Sequence, residues 1–546
     1  MMDRYACWQQ VWPEGVPQNI EADKPFTEYF RDRATERPDA VAIYFYGYEI
    51  DYATLNRKID QFANALIDRG LNKGDRVGVF LQNSPHYVIS FFGVIRAGGI
   101  VVNLNPMFKA MELDPIIEKT GIETIIVQDS LFAELNKTIN LPSSERVIVA
   151  RLSDYIPENP QFSPPPEALG TNESFPGTVD FQELIASGKP ESVCRVDDMD
   201  ADLAMLQLTG GTTGVPKAAM ISVRAFTLAV LINRAWYRLT TADTSLGVAP
   251  FFHIMGLQAT MVPCLVSGCT LLVITRFDPQ TIARVIAERG CSVWVAAPTM
   301  LTALVNMPEI EGFDFSSLRV IVTGGSPISL SLQQRIKALA PNSQLGEGYG
   351  MTEILASGGV HTPLGRWKEG FCGIPMINDL KIVDLEMGEK EMPPNQEGEI
   401  VIKGSTVMQG YWNQPEETRD VFRDGWFYTG DIGFLDEEGY LKIVDRKKEL
   451  ILCSGFNVYP SDLENIMSRH PAILEVAVIG VPDDYRGESP KAIVILKDEY
   501  QDKVTEKDIV DWCRENMASY KRPREVEFQQ ALPKSGAGKI LKRLLN

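Results

Sequence analysis

Basic residues are scarce: 53 Lys and Arg stand against 72 Asp and Glu, a net charge of −19. That balance works against a broad nucleic-acid surface or a strongly anionic-membrane-binding face, and leaves peripheral membrane contact at most. No two of the eight cysteines form a CxxC pair, so neither a zinc ribbon nor a thioredoxin-like site is supported; reduced thiols in a cytoplasmic protein are the simpler reading. The opening MMDRYACWQQVWPEG lacks the basic and then apolar regions of a secretory signal. A repeat of fixed short period is also missing, which excludes solenoids and propellers. The 32 residues from Thr244 to Thr275 carry no Asp, Glu, Lys or Arg. Pro250, His253, Gly256, Gln258, Pro263 and Gly268 interrupt them, so the run reads as buried core and not as a membrane span.

What is present describes a large globular chain: 546 residues, 45% apolar and 23% charged. Short β-branched runs (VGVFL, IVVNL, ETIIV, VWVAA, RVIVTGG) alternate with helical patterns from Pro85 to Ala97, from Pro298 and over SLSLQQRIKALA. Strand and helix in alternation predict an α/β fold with parallel-rich sheets in several layers. From Arg151 to Lys189 the chain, including PENPQFSPPPEALG, reads as an irregular, solvated surface insertion. The last hundred residues pair ILEVAVIGV and KAIVILK with a helix after Thr505, where Asp508 completes a capping box, and so predict a small α+β domain. The junction falls in GYLKIVDRKKEL, giving domains 1–444 and 445–546.

Four stretches carry chemistry. LAMLQLTGGTTGVPKAAM is a strand ending near Thr209, then a Gly/Thr loop and Lys217, a combination suited to an anion. It is not a Walker loop, because Pro216 precedes Lys217 and Ala218 follows it. GEGYGMTE sets Tyr349, Thr352 and Glu353 within five residues: a ring that can stack on a base, a hydroxyl, and a hard oxygen ligand for Mg²⁺. Asp431 lies in a glycine-flanked segment read as a turn, with Arg446 fifteen residues on; a carboxylate can accept from both ribose hydroxyls, and a guanidinium donates in a fixed fork. Lys539 follows a Ser-Gly-Ala-Gly turn near the C-terminus. Taken alone, GEGYGMTE reads equally well as a tight turn with a buried Tyr, and each of the other three reads more readily as an ordinary connection or a solvated charge.

Together, in this order and spacing, they resemble the adenylate-forming superfamily of acyl-CoA synthetases, adenylation domains and beetle luciferases. MTE after Gly350, DRKKELILCSGFNVYP and PKSGAGKILKR are most similar to bacterial medium- or long-chain fatty-acyl-CoA ligases, with 4-coumarate-type ligases close behind. The resemblance implies a large N-terminal domain and a small mobile C-terminal one turning about Asp445. ATP, Mg²⁺ and coenzyme A would be used. Thr209, Gly210, Gly211, Thr212, Thr213, Gly214 and Lys217 would hold the β- and γ-phosphates. Tyr349 would stack on adenine with Gly324, Gly325 and Ser326 lining its edge, Gly348, Gly350 and Met351 would belong to the same ATP site, Thr352 would touch the α-phosphate and Glu353 would bind the metal. Asp431, assisted by Arg446, would grip the ribose hydroxyls, Ile443 would belong to the ATP site, and Lys539 would bridge the reacting carboxylate and the α-phosphate. Gly455 and Phe456 would line the coenzyme A passage, with His253 at its inner end. Ile254, Met255, Gln258, Trp294, Gly325 and Ser357 would wall the acyl pocket.

The chemistry requires such parts. A carboxylate becomes an acyl donor only with a better leaving group, so attack on the α-phosphate makes a mixed anhydride, and positive charge must bring the two anions together. Amino-acid-adenylating relatives carry an aspartate shortly after the position of Phe251; its absence here disfavours amino acids. Leu452 stands where the light-emitting branch has lysine. The expected activity is an ATP-dependent carboxylic acid–CoA ligase acting on a medium- or long-chain fatty acid, with an aryl or cyclic acid as the alternative. A non-catalytic acyl or nucleotide binder is the alternative of another class, and a homodimer is compatible with the chain.

Overall fold

The VGVFL segment forms the strand Arg76–Phe80, and the helix expected after it begins as its sequence dictates. Ser84 accepts from the Tyr87 amide, Pro85 fills the first helical position, and Pro85–Arg96 runs fully buried between layers. The computed structural model describes residues 4–170, 173–209, 216–325, 328–453, 456–483, 486–501, 503–518, 521–534 and 540–545, without the side chains of 4, 357, 456, 457 and 487. The chain divides into a larger unit, Trp8–Asp379 with Lys403–Gly425, and a smaller one, Leu380–Ile402 and Trp426–Asn546 with Met1–Cys7.

The larger unit holds two sheets. In the nine-stranded sheet, Gln344–Met351, Val320–Gly324, Val293–Ala296, Thr244–Gly247, Thr270–Val273 and Val41–Phe45 lie parallel in that spatial order, with antiparallel strands at both margins. In the seven-stranded sheet, the parallel set ends at Leu203–Leu208, which pairs antiparallel with Ala218–Ser222. The expected α/β architecture is thus borne out, with near-continuous apolar strands as burial on both faces requires. The charge-free run from Thr244 to Thr275 is core, folded as a strand, the short helix Ile254–Gly256, a π-helical stretch Leu257–Met261, the helix Val262–Ser267 and a strand. Gly256 is required there, since a Cβ would fall 2.2 Å from the Pro250 carbonyl oxygen.

The insertion read as solvated is only partly so. It is irregular, but Tyr155 and Phe162 are buried and Phe162 packs edge-on against Tyr44. Its aromatic residues hold it down, a signal outweighed in the sequence by the surrounding prolines and serines.

In the smaller unit, Ile473–Asp483 and Gly487–Leu496 pair antiparallel, with Glu525–Phe528 parallel alongside. Helices Pro460–Met467 and Glu506–Asn516 cover that sheet, the second opened by the expected Thr505–Asp508 capping box. A second antiparallel sheet contains Gly398–Lys403, Trp426–Leu435 and Leu441–Arg446.

Candidate active site

In open α/β sheets, ligands bind beyond the carboxyl ends of the parallel strands. The residues singled out in the larger unit sit at such ends. Thr209 follows Leu203–Leu208; Phe251-Phe252-His253 follows Thr244–Gly247; Gly325 follows Val320–Gly324; and Tyr349 to Glu353 close Gln344–Met351.

The glycine–threonine loop is shut at its base. Leu208 pairs with Ala218, and the Thr209 amide donates to the Lys217 carbonyl at 2.8 Å. Gly210, Gly211, Thr212, Thr213 and Gly214 lie outside the described residues. Residues 408–412 run beside the returning strand: Gln409 N–H donates to Met220 O and Trp412 N–H to Ala218 O, at 2.9 and 2.8 Å. This register sets the Tyr411 ring under Lys217, whose Nζ is 4.7 Å from the ring centroid. The Tyr411 hydroxyl donates to Oε1 of buried Glu353 at 2.9 Å, and the Met408 amide donates to the Glu353 carbonyl at 2.7 Å. Burial, reinforced by that carboxylate, drives the phenol pKa far upward, so Tyr411 remains a donor. Lys217 and Glu353, 136 residues apart in sequence, are therefore joined through a tyrosine that no motif marked.

Tyr349 lies opposite Val360 on the strand Leu355–His361, and Gly348 lies opposite His361. Glycine makes this hairpin possible, because a Cβ on Gly359 would come 2.0 Å from the Tyr349 carbonyl oxygen. The bend over Thr352–Ile354 is braced from behind: Thr406 donates through its hydroxyl to Ile354 O, and Asn378 donates to Gly358 O. Gly324 pairs with Gly348, and Gly325, at φ +85°, is positioned so that a Cβ would be 3.6 Å from Met255 Cε. Two of the expected pocket residues, Gly325 and Met255, are thus adjacent. Ile254 is buried, Gln258 is buried and donates to Ala229 O, and Trp294 is fully buried in its strand. Ser326 and the Ser357 side chain lie outside the described residues.

His253 caps the short helix after it, its Nδ1 accepting from the Met255 amide at 3.3 Å. Burial pushes its pKa down to about 4, so near neutral pH it is an uncharged imidazole with the proton on Nε2. Buried polar groups with no motif of their own fix the loop carrying it: Asn83 bonds Gly247, Ala249 and Phe251, Tyr87 donates to Phe251 O, and Gln207 donates to Phe252 O. A cleft of about 540 Å³ is lined by Ile116, Lys119, Trp412 and, from the chain on either side of the glycine–threonine segment, Leu208, Pro216 and Ala218; Tyr349, Thr352 and Glu353 take no part in lining it.

In the smaller unit, Asp431 and Arg446 are directly opposite across two strands, Nε to Oδ1 3.2 Å, with the carboxylate buried. This corrects the expected turn: Asp431 is inside the strand Trp426–Leu435, and a left-handed Gly430 together with a register shift beyond Ile432 absorbs the irregularity. Glu399 accepts from the Gly430 amide and pairs with Lys447, a support the sequence did not mark. Ile443 is half-buried opposite Gly433. Asp445 is buried and accepts from the Arg446 amide and from both the amide and hydroxyl of Ser461. Phe456 opens the strand Phe456–Val458; Gly455 and Lys539 lie outside the described residues.

Residues 30–412 match the family described as AMP-binding enzyme, and residues 462–539 match the AMP-binding enzyme C-terminal domain. A long-chain-fatty-acid–CoA ligase of Bacillus subtilis is 35% identical, covering 98% of this chain and 97% of that protein. A ligase of the same name from Escherichia coli is 34% identical over the same shares. Among solved structures, an anthranilate CoA ligase in complex with anthranoyl-AMP superposes with a TM-score of 0.84 at 26% identity, covering 96% of each chain. The chain belongs to the AMP-binding enzyme family. It is an AMP-forming acyl-CoA synthetase that joins a small carboxylic acid to coenzyme A at the expense of ATP, and the resemblance read from its motifs is borne out. No helix among the described residues is long and apolar enough to cross a membrane.

Proposed function

We propose that the acid is a long-chain fatty acid and that the enzyme forms its CoA thioester through an acyl-adenylate. The joining of Lys217 to Glu353 through Tyr411 carries this reading, because it puts a cation and a hard carboxylate from two remote motifs in one place. The names of the two ligases similar over nearly the full chain support the substrate class.

Among the described residues no three His, Cys, Asp or Glu side chains form a metal cage. A single buried carboxylate nevertheless fits Mg²⁺, which commonly takes one protein oxygen and completes its shell with phosphates and water. When bound at Glu353, the ion supplies charge neutralisation on the phosphates. Lys217 draws the β- and γ-phosphates toward the loop. Tyr349 is assigned to adenine, Asp431 with Arg446 to the ribose, and Thr352 to the α-phosphate. A carboxylate oxygen of the acid then bonds to the α-phosphorus as the bond to the pyrophosphate oxygen breaks, with Lys539 holding both anions. In the second step the CoA thiolate attacks the acyl carbon, the acyl carbon–oxygen bond breaks, and AMP leaves with the electron pair. Neutral His253, which cannot ion-pair with the acid, stands by the acyl carbon, and Gly455 and Phe456 admit the thiol arm. The two steps call for different groups beside one substrate, which is the reason for assigning Asp445 as a hinge.

Acid-dependent exchange of labelled pyrophosphate into ATP without CoA, and thioester only with CoA, is the expected result. A graded set of acids should give the highest kcat/KM for long-chain fatty acids; preference for aryl acids would overturn the substrate assignment. Exchange without any thioester would overturn CoA as the acceptor. Lys539→Ala is expected to abolish exchange while sparing thioester formation from supplied acyl-adenylate, and equal loss of both half-reactions would remove its assigned role.

A further inference from the structure

Tyr411 belongs to none of the four motif segments, yet it touches two of them. Its hydroxyl is 2.9 Å from Glu353 Oε1 and its ring face carries Lys217 Nζ at 4.7 Å. The residue is buried, and its backbone is clamped on both sides: Met220 N–H donates to Gly410 O, the Tyr411 amide donates to Thr418 Oγ1 at 2.9 Å, and Trp412 N–H donates to Ala218 O. Backbone bonds on both sides and a buried ring fix where the phenol meets its two partners.

Two consequences follow from elementary electrostatics. A phenol donating to one carboxylate oxygen fixes the plane and rotamer of Glu353, and so fixes the direction in which the carboxylate faces a cation. An aromatic face beneath an ammonium gives it a seat worth a modest free energy, enough to park the lysine and weak enough to yield it to a phosphate. Without the ring, a lysine and a glutamate in this neighbourhood would gain by collapsing on each other, and both would be withdrawn from the nucleotide.

We propose that Tyr411 is the positioning residue of the triphosphate site: its hydroxyl sets Glu353 for the metal, and its ring holds Lys217 apart from Glu353 and ready for phosphate. This rests on the assignment of Glu353 to the metal and of Lys217 to phosphate made above. The hydroxyl and the ring are separable, since Tyr411→Phe removes only the first and Tyr411→Leu removes both.

The test is direct binding to the full-length protein. Mn²⁺ binding is followed by electron paramagnetic resonance in the presence of the α,β-methylene analogue of ATP, and binding of the analogue without metal is followed by calorimetry. Tyr411→Phe should weaken Mn²⁺ binding about tenfold, the size expected for loss of a hydrogen bond to an ionised partner, and leave metal-free analogue binding within about twofold of the parent. Tyr411→Leu should weaken both; should it fail to fold, the isosteric phenylalanine variant still decides. Parental Mn²⁺ binding in Tyr411→Phe, or equal losses with and without metal, would overturn the proposal. Glu353→Gln serves as reference. If it weakens Mn²⁺ binding while Tyr411→Phe does not, only the role of Tyr411 falls; if it leaves Mn²⁺ binding unchanged, the metal assignment of Glu353 falls and takes this inference with it.

Discussion

Asp60, buried between three helices, accepts from two guanidiniums through one oxygen: Arg31 at 2.8 Å and Arg96 at 2.9 Å. Arg96 has no solvent exposure, and burial outweighs its carboxylate partner, so that its pKa falls to about 10. The pair is asymmetric. Removing Arg96 leaves Asp60 with Arg31, whereas removing Asp60 leaves a fully buried guanidinium with only the Thr27 carbonyl at its Nη2. Breaking a buried pair by deleting one partner costs about 3–5 kcal/mol when a charge is stranded. Asp60→Leu is therefore expected to lower unfolding free energy by about that amount, and Arg96→Met by less than half of it. Urea titrations of the two variants measure the difference; equal losses would mean that Arg31 does not hold Asp60 alone.

At the scale of elements, strands and helices were legible because their signals are local: β-branched runs, Ser84 and Pro85 at a helix start, Thr505 and Asp508 in a box. So were the motif segments, since glycines, hydroxyls and charges sit close in sequence. Tyr411, Asn83 and Gln207 were not, because each is an ordinary residue whose role arises only when distant strands meet. Asp431 was misplaced into a turn because flanking glycines look alike in turns and in irregular strands. Glu347 belongs with the unmarked set. It lies two residues before Tyr349, beside Thr323 of the neighbouring strand, and burial alone pushes its pKa up to about 7. The sign follows from linkage: a carboxyl whose folded pKa exceeds its unfolded value stabilises fully below about pH 4.5, and this contribution is lost as pH rises through about 7. Glu347→Gln should thus match the parent in thermal midpoint near pH 4.5 and exceed it at pH 8, by up to about 3 kcal/mol in stability. Parallel stability curves at the two pH values would show that the ionised carboxylate finds a partner.

At the scale of the whole molecule, described residues flanking a glycine-rich, lysine-bearing segment of the sequence are joined by backbone pairing in each unit. Thr209 pairs with Lys217 in the larger unit; Lys534 bridges Ile540 in the smaller, and the Leu541 amide donates to Pro533 O at 2.8 Å. The second pairing is also fastened by charge. Lys542 reaches Glu464 at 2.8 Å and Glu449 at 3.2 Å, and Glu464 in turn accepts from the Val478 amide. Burial by itself would lower the ammonium pKa, but the two carboxylates reverse this and raise it, so Lys542 keeps its charge, while burial raises the Glu464 carboxyl against the pull of that ammonium. Glu464 lies on the helix Pro460–Met467, whose Ser461 is bonded to Asp445, so the tail and the assigned hinge share one support. Lys542, three residues beyond Lys539 in sequence, should then matter most in the half-reaction assigned to Lys539. Lys542→Met is expected to cut pyrophosphate exchange about tenfold or more while thioester formation from supplied acyl-adenylate stays near the parental rate, with Lys542→Arg restoring exchange. Because a fault confined to stability lowers both half-reactions together, an equal fall in the two would show that Lys542 only holds the smaller unit folded.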